Sequence, residues 1–298
     1  MSTHDTLVRA IIAAHAGLAL PADPTGPAAF SSEAPVYRAA KQACLALGFI
    51  EPDAECLGKA WQRMSERTGQ FGATRWPDHP ADFGMRPWPR TDAFAACPRK
   101  LGLYAVLPDA AWVARMARAG VPTVQLRFKS DDLRAIEREV IAAVEAVQGT
   151  AALLFINDHW QAAIAAGAYG VHLGQEDMAL ADMQTIRAAG LRLGLSSHGY
   201  AEMLRADRFS PSYIAMGAVF PTTLKRMVTA PQGTGRLQAY AGLMHDYPLV
   251  AIGGIDLSGL PEVLASGVGS VAVVRALVAA ERPEEMAASL QAAINATV

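Results

Sequence analysis

The sequence predicts an α/β protein: a (β/α)8 TIM barrel over residues 99–298, preceded by a mainly helical extension with a Pro-rich linker over residues 1–98. Three observations predict it. From residue 101 onward, short apolar, β-branched runs alternate with Ala-rich stretches of helical period. The runs number eight. They occupy about 200 residues, near the short end of the range for such barrels. Strands alternating with helices imply parallel pairing through right-handed crossovers. Eight units favour closure over a doubly wound sheet, which more often has five or six strands.

The elements follow in order. Residues 1–24 carry an apolar patch interrupted by His15 and followed by Pro21, which reads as an amphipathic helix rather than a signal peptide. Segments 35–47 and 52–66 place apolar residues three and four apart, as helices do. Residues 67–97 hold Pro77, Pro80, Pro87 and Pro89 with little periodicity. That composition marks a connecting segment, one that packs Trp76 and Trp88 against a neighbour. A boundary in Pro-rich chain predicts that a barrel beginning near Arg99 folds by itself. The strands are expected at 101–107 (LGLYAVL), 122–128 (PTVQLRF), 152–157 (ALLFIN), 169–173 (YGVHL), 191–196 (LRLGLS), 212–218 (SYIAMGA), 248–252 (PLVAI) and 270–274 (SVAVV).

Composition narrows the function. Hydrophobic residues make up 52% of the chain and charged residues 18%, enough apolar surface for a large core. A formal net charge of −2 without a basic block argues against nucleic acid as partner. No apolar run approaches the ~20 residues that span a bilayer, so no membrane partner is expected. The three cysteines lack metal-ligand spacing and read as reduced residues of a cytoplasmic protein. A homo-oligomer is compatible with the sequence.

Barrels place their chemistry where strands end, and here those ends are polar. Gln125, Arg127 and Lys129 alternate along one side of strand 2, and Lys225 follows strand 6. Cations converging on an enclosed mouth need anionic company, and a diphosphate suits one Arg fork and two Lys point charges. Asp158 and Asp177 end adjacent strands, and two carboxylates with phosphate oxygens and water make an Mg2+ site. The bland alternative for Asp158 is a helix cap near Trp160. Gly253 and Gly254 after strand 7 lie where barrels often bind a second phosphate. His172 reads as a hydrogen-bonded core residue, and His198 as a strand-end residue without a visible partner. No nucleophile motif is present, so a reaction with diphosphate as leaving group is expected, carried by electrostatics.

The strings QLRFK, FINDHW, AYGVHLGQEDM, LGLSSH, GAVFPTTLKRMVTAPQG, AIGGI and GVGSVAVVRAL resemble, in order and spacing, the thiamine-phosphate synthase family. The resemblance runs from about Leu101 to the C-terminal helix. It implies a cytoplasmic transferase of thiamine biosynthesis that takes two small-molecule substrates, hydroxymethylpyrimidine diphosphate and hydroxyethylthiazole phosphate, with Mg2+ as cofactor. By that resemblance Gln125, Arg127, Lys129 and Asn157 hold the pyrimidine diphosphate. Asp158 and Asp177 bind the metal, and Ser196 and Lys225 contact the diphosphate side. Thr222, Thr223, Leu224, Gly254, Val274 and Arg275 fall at the thiazole-phosphate site. The chain departs from the family at Leu224, where many relatives have a hydroxyl, at Arg275, where Ser is common, and at Ala218. Two readings of Arg275 stay open: it compensates for Leu224 in holding the phosphate, or it points into solvent at the start of the last helix. The segment CLGKAWQ is similar to the end of a hydroxymethylpyrimidine phosphate kinase, but without a Gly-rich phosphate loop no kinase activity is expected. Two other readings stand beside the synthase, a thiazole tautomerase-like barrel and a non-catalytic regulatory paralogue.

Overall fold

Strands β1 (Gly102–Leu107), β2 (Thr123–Leu126), β3 (Leu153–Asn157), β4 (Gly170–Leu173), β5 (Arg192–Ser197), β6 (Tyr213–Met216), β7 (Leu249–Ile252) and β8 (Ser270–Val273) pair in chain order, and β8 returns to β1. Every pair is parallel, so the sheet closes into the expected barrel; Tyr104 of β1, for example, is in register with Thr123 on one side and Ala272 on the other. The computed structural model that shows this describes residues 3–21, 29–222 and 229–296.

Helices fill the gaps between strands: α4 (Ala110–Arg118) follows α1 (Thr3–Ala14), α2 (Pro35–Ala46) and α3 (Glu51–Thr68) of the extension and β1 of the barrel. Then come α5 (Leu133–Ala146), α6 (Trp160–Ala166), α7 (Met183–Ala188), α8 (Tyr200–Asp207), α9 (Gly233–Leu243), α10 (Leu260–Ala265), α11 (Arg275–Val278) and α12 (Pro283–Ala296). Several start on a side-chain cap that the local sequence supplies. Asp109, Asp132 and Asp182 each accept backbone N–H bonds from the first turn of α4, α5 and α7.

Strand alternation splits the core in two. Outward-facing Leu103, Ala105, Val124, Leu154 and Val171 pack under the helices. Inside the barrel, Tyr104, Val106, Phe155, Tyr213, Val250 and Ala272 form a separate cluster. Large rings fit there because glycines face them. A Cβ on Gly170 would collide with the Phe155 ring, and one on Gly194 with the Tyr213 ring.

The extension shares the outer core. Ile11, Cys44, Leu57 and Trp61 are fully buried in the same cluster as Tyr200 and Leu260. Residues 70–100 run over the barrel surface with most of their aromatics engaged. The Trp76 indole donates to the Tyr200 hydroxyl at 2.8 Å, and Trp88 meets Tyr247 edge-on at 5.1 Å between ring centroids. Arg90 pairs with Asp207 at 2.6 Å, both side chains buried. No helix of the described residues is long and apolar enough to cross a membrane.

Candidate active site

A cavity of about 620 Å³ opens at the C-terminal ends of the strands. The expected residues Gln125, Arg127, Lys129, Asn157, Asp158, Asp177, Ser196, Thr222, Gly254, Val274 and Arg275 all line it. They arrive from seven different strands and the loops after them, which is why residues far apart in sequence meet. Thr223, Leu224 and Lys225 lie outside the described residues, so the expected exchange between Leu224 and Arg275 has only its second member here.

Gln125 is buried within β2, and its amide donates to the Tyr104 hydroxyl at 3.0 Å. Past it, Arg127 continues along β1, its N–H donating to Leu107 O at 2.7 Å. Lys129 stands at the rim and pairs with Asp158. The cationic and acidic groups are therefore contiguous rather than on separate walls.

Asp158 follows β3 with φ 64°, a left-handed conformation uncommon outside glycine. Its N–H donates to His172 O at 3.0 Å, which fixes it against β4. It does not cap α6. His159 holds that position, and no side chain bonds the first turn. Asp177 enters a short 3₁₀ turn after β4, its carboxylate accepting the Gly174 N–H at 3.1 Å. Burial, and next the nearby Asp158 charge, push the Asp177 carboxyl above its ordinary value. Two carboxylates that repel each other beside a lysine form a site that gains from a hard cation. Among the described residues no group of three or more His, Cys, Asp or Glu could hold a metal by itself.

A buried polar chain beneath the mouth went unnoticed in the sequence. Gln125 bonds Tyr104, Tyr104 bonds Tyr213 at 2.7 Å, Tyr213 meets His172 Nδ1 at 2.7 Å, and His172 Nε2 meets Ser196 Oγ at 2.8 Å. Two mouth residues are thus tied through the barrel centre. Burial drives the His172 imidazole down to about 4, so it is neutral near pH 7. The signal was available: Tyr104, His172 and Tyr213 all fall on inward positions of their strands. His198 also has a partner, Glu202, four residues on, which accepts from its backbone N–H at 2.9 Å and meets Nδ1 at 2.6 Å.

On the opposite wall, Gly253 and Gly254 adopt φ 104° and 68°. A Cβ on either would strike the β6–α9 segment, at 2.5 Å from Ala218 Cα and 2.6 Å from Pro221 O. Close approach of two backbones, as well as turn geometry, requires glycine there. Arg275 opens α11 and lines the cavity beside Val274.

Known proteins are similar to this chain. A family model described as thiamine monophosphate synthase matches residues 103–277. A thiamine-phosphate synthase of Neisseria meningitidis serogroup A is 56% identical over 192 residues, 64% of this chain and 94% of the relative. One from Yersinia pestis is 48% identical over 200 residues, 67% of this chain and 93% of the relative. Among solved structures, a thiamine phosphate pyrophosphorylase from Pyrococcus furiosus superposes with a TM-score of 0.61 at 28% identity, covering 67% of this chain and 98% of that one. With its family match extending over more than half the sequence and nearly the full length of such relatives retained, this chain belongs to the thiamine monophosphate synthase family.

Proposed function

We propose that this chain is a thiamine-phosphate synthase, a transferase that joins hydroxymethylpyrimidine diphosphate to hydroxyethylthiazole phosphate and releases diphosphate. The observation that carries the reading is one cavity, in a chain of this family, lined by Gln125, Arg127, Lys129, Asn157, Asp158, Asp177 and Ser196 together. That lining suits a diphosphate and does not favour the tautomerase or the non-catalytic reading.

The chemistry follows from those side chains. The bond between the pyrimidine methylene carbon and the diphosphate oxygen breaks, and its electron pair leaves with diphosphate. The thiazole nitrogen then gives its lone pair to that carbon. This nitrogen carries no hydrogen, so no base has to remove a proton, and a site with a buried neutral His172 and no activated nucleophile among the described residues is adequate. The Arg127 guanidinium and the Lys129 ammonium bind the leaving group, the first as a fork and the second as a point charge. Gln125 and Asn157 orient the pyrimidine diphosphate, with Gln125 held by Tyr104. Ser196, anchored on His172, contacts the diphosphate side. Thr222, Gly254, Val274 and Arg275 form the wall for the thiazole phosphate, where Arg275 supplies a charged donor.

Asp158 and Asp177 would hold Mg2+, for which two neighbouring carboxylates fit the usual preference for few protein ligands completed by water and phosphate oxygens. When bound, the ion would supply charge compensation for departing diphosphate. The test is direct incubation of the full chain with both phosphorylated substrates and Mg2+. Thiamine phosphate and diphosphate should form in equal amounts, and omission of either substrate should abolish both. Absence of thiamine phosphate with all components present overturns the reading.

A further inference from the structure

We propose that the N-terminal extension is a working part of the active site, with Asp53 as a positioning residue that fixes the β5–α8 loop carrying Ser196 and His198. The inference rests on the synthase reading above.

Helix α8 has no cap of its own: its N-cap residue is Gly199, which has no side chain to accept the N–H groups of the first turn. Asp53, buried in the first turn of α3 at 3% exposure, supplies the cap from far upstream. Its carboxylate accepts the Ala201 N–H at 2.8 Å and interacts with the Tyr200 amide as well. Gly199 has φ 179°, extended backbone that any residue adopts, so its lack of a side chain is not a conformational need. It is a matter of space, because a Cβ there would collide with the Asp53 carboxylate. Carboxylate and glycine are therefore fitted to each other.

What this contact holds is the mouth. Ser196, Ser197 and His198 immediately precede Gly199 and line the cavity. His198 is latched to Glu202 in the first turn of α8. A shift of that turn moves the latch and the strand end with it. Two further groups of the extension grip the same turn: Trp76 donates to the Tyr200 hydroxyl at 2.8 Å, and Phe83 stacks on the Tyr200 ring at 5.4 Å.

The neighbouring loop is held similarly. Arg236 of α9 is 3% exposed and donates to Leu18 O at 2.9 Å and Leu47 O at 2.8 Å, both in the extension. It also donates to Gln232, whose N–H bonds the cavity-lining Ala218 at its carbonyl, 2.8 Å away. Burial pushes the Asp53 carboxyl up to about 6, so holding it ionised near neutral pH costs stability. A residue serving packing alone has cheaper apolar choices.

The experiment uses the full chain with Asp53→Ala, Asp53→Asn and Gly199→Ala, reading steady-state kinetics for each substrate and amide exchange over residues 198–203. Asp53→Ala should lower kcat/KM for the pyrimidine diphosphate tenfold or more, leave KM for the thiazole phosphate within about twofold, and speed exchange of the Ala201 amide. Asp53→Asn keeps an acceptor and should stay within about threefold of the parent. Gly199→Ala should impair the parent but add little to Asp53→Ala, since the collision is then gone. Parent-like kinetics in Asp53→Ala, or equal impairment in the Asn and Ala variants, overturns the proposal. Should Asp53→Ala fail to fold, Gly199→Ala decides it, and parent-like kinetics there overturns it equally. If the parent itself makes no thiamine phosphate, the synthase reading has failed, and unchanged Ala201 exchange in Asp53→Ala separately removes the positioning role.

Discussion

Asp158 combines three features that sequence reading treats separately: it ends a strand, it sits at φ 64°, and it pairs with Lys129. A non-glycine residue in this region costs on the order of 1 kcal/mol or more, a strain that persists where surroundings over-determine it, often at functional sites. Asn tolerates the same backbone, so Asp158→Asn and Asp177→Asn remove charge without moving the chain. Each should leave the unfolding midpoint nearly unchanged and reduce kcat by about 100-fold or more, the scale of losing one preorganised electrostatic contact. Turnover measured across an Mg2+ titration checks this, and near-parental activity in both variants at low Mg2+ would rule the pair out as the proposed Mg2+ ligands. At this scale the strand-end rule was enough to find most of the mouth, because each such residue is polar where an apolar one would be ordinary. It did not give the links among Tyr104, Tyr213 and His172, because inward positions show where such residues sit but not which partners they meet.

The eight strands were legible to within two residues at every end, because β-branched runs bounded by Gly and Pro leave few other readings. The misfits have a common cause. Runs expected at 122–128 and 212–218 stop in the ladder at Leu126 and Met216, where the chain turns its side chains to the mouth. What periodicity could not show is how rings share the barrel interior. Gly194 of β5 gives its space to Tyr213 of β6, whose hydroxyl serves both Tyr104 and His172. Gly194→Ala should therefore act as an overpacking mutation at a rigid backbone. We expect a loss of about 1–3 kcal/mol or somewhat more, seen as a lower urea midpoint at unchanged m. A variant as stable as the parent would show that the Tyr213 ring is free to move, and that the polar chain beneath the mouth is loosely held.

On the scale of the whole molecule, the extension bears on whether the barrel can stand alone. Residues 67–97 read as a linker, and a linker implies a barrel that stands alone from Arg99. In the fold this stretch is a strap whose removal uncovers polar groups that water cannot simply replace. Asp207 is 4% exposed and pairs with Arg90, and removing the strap takes away both its cation and its cover. Arg236 would lose Leu18 O and Leu47 O, and Tyr200 would lose Trp76 and Phe83. The α-helical periodicity of the extension revealed that its helices have an apolar face, but not that the face belongs to α8 and α9. Losing that cover draws on a margin that for a typical domain is only about 5–15 kcal/mol. A chain beginning at Arg99 is accordingly expected to be insoluble or to unfold without a cooperative transition. Co-expression with residues 1–98 should restore soluble material and activity. Solubility, thermal unfolding and thiamine phosphate formation decide it. A truncated barrel that melts cooperatively near the parental temperature and turns over at the parental rate would show that the strap is dispensable, and the Asp53 assignment would fall with it.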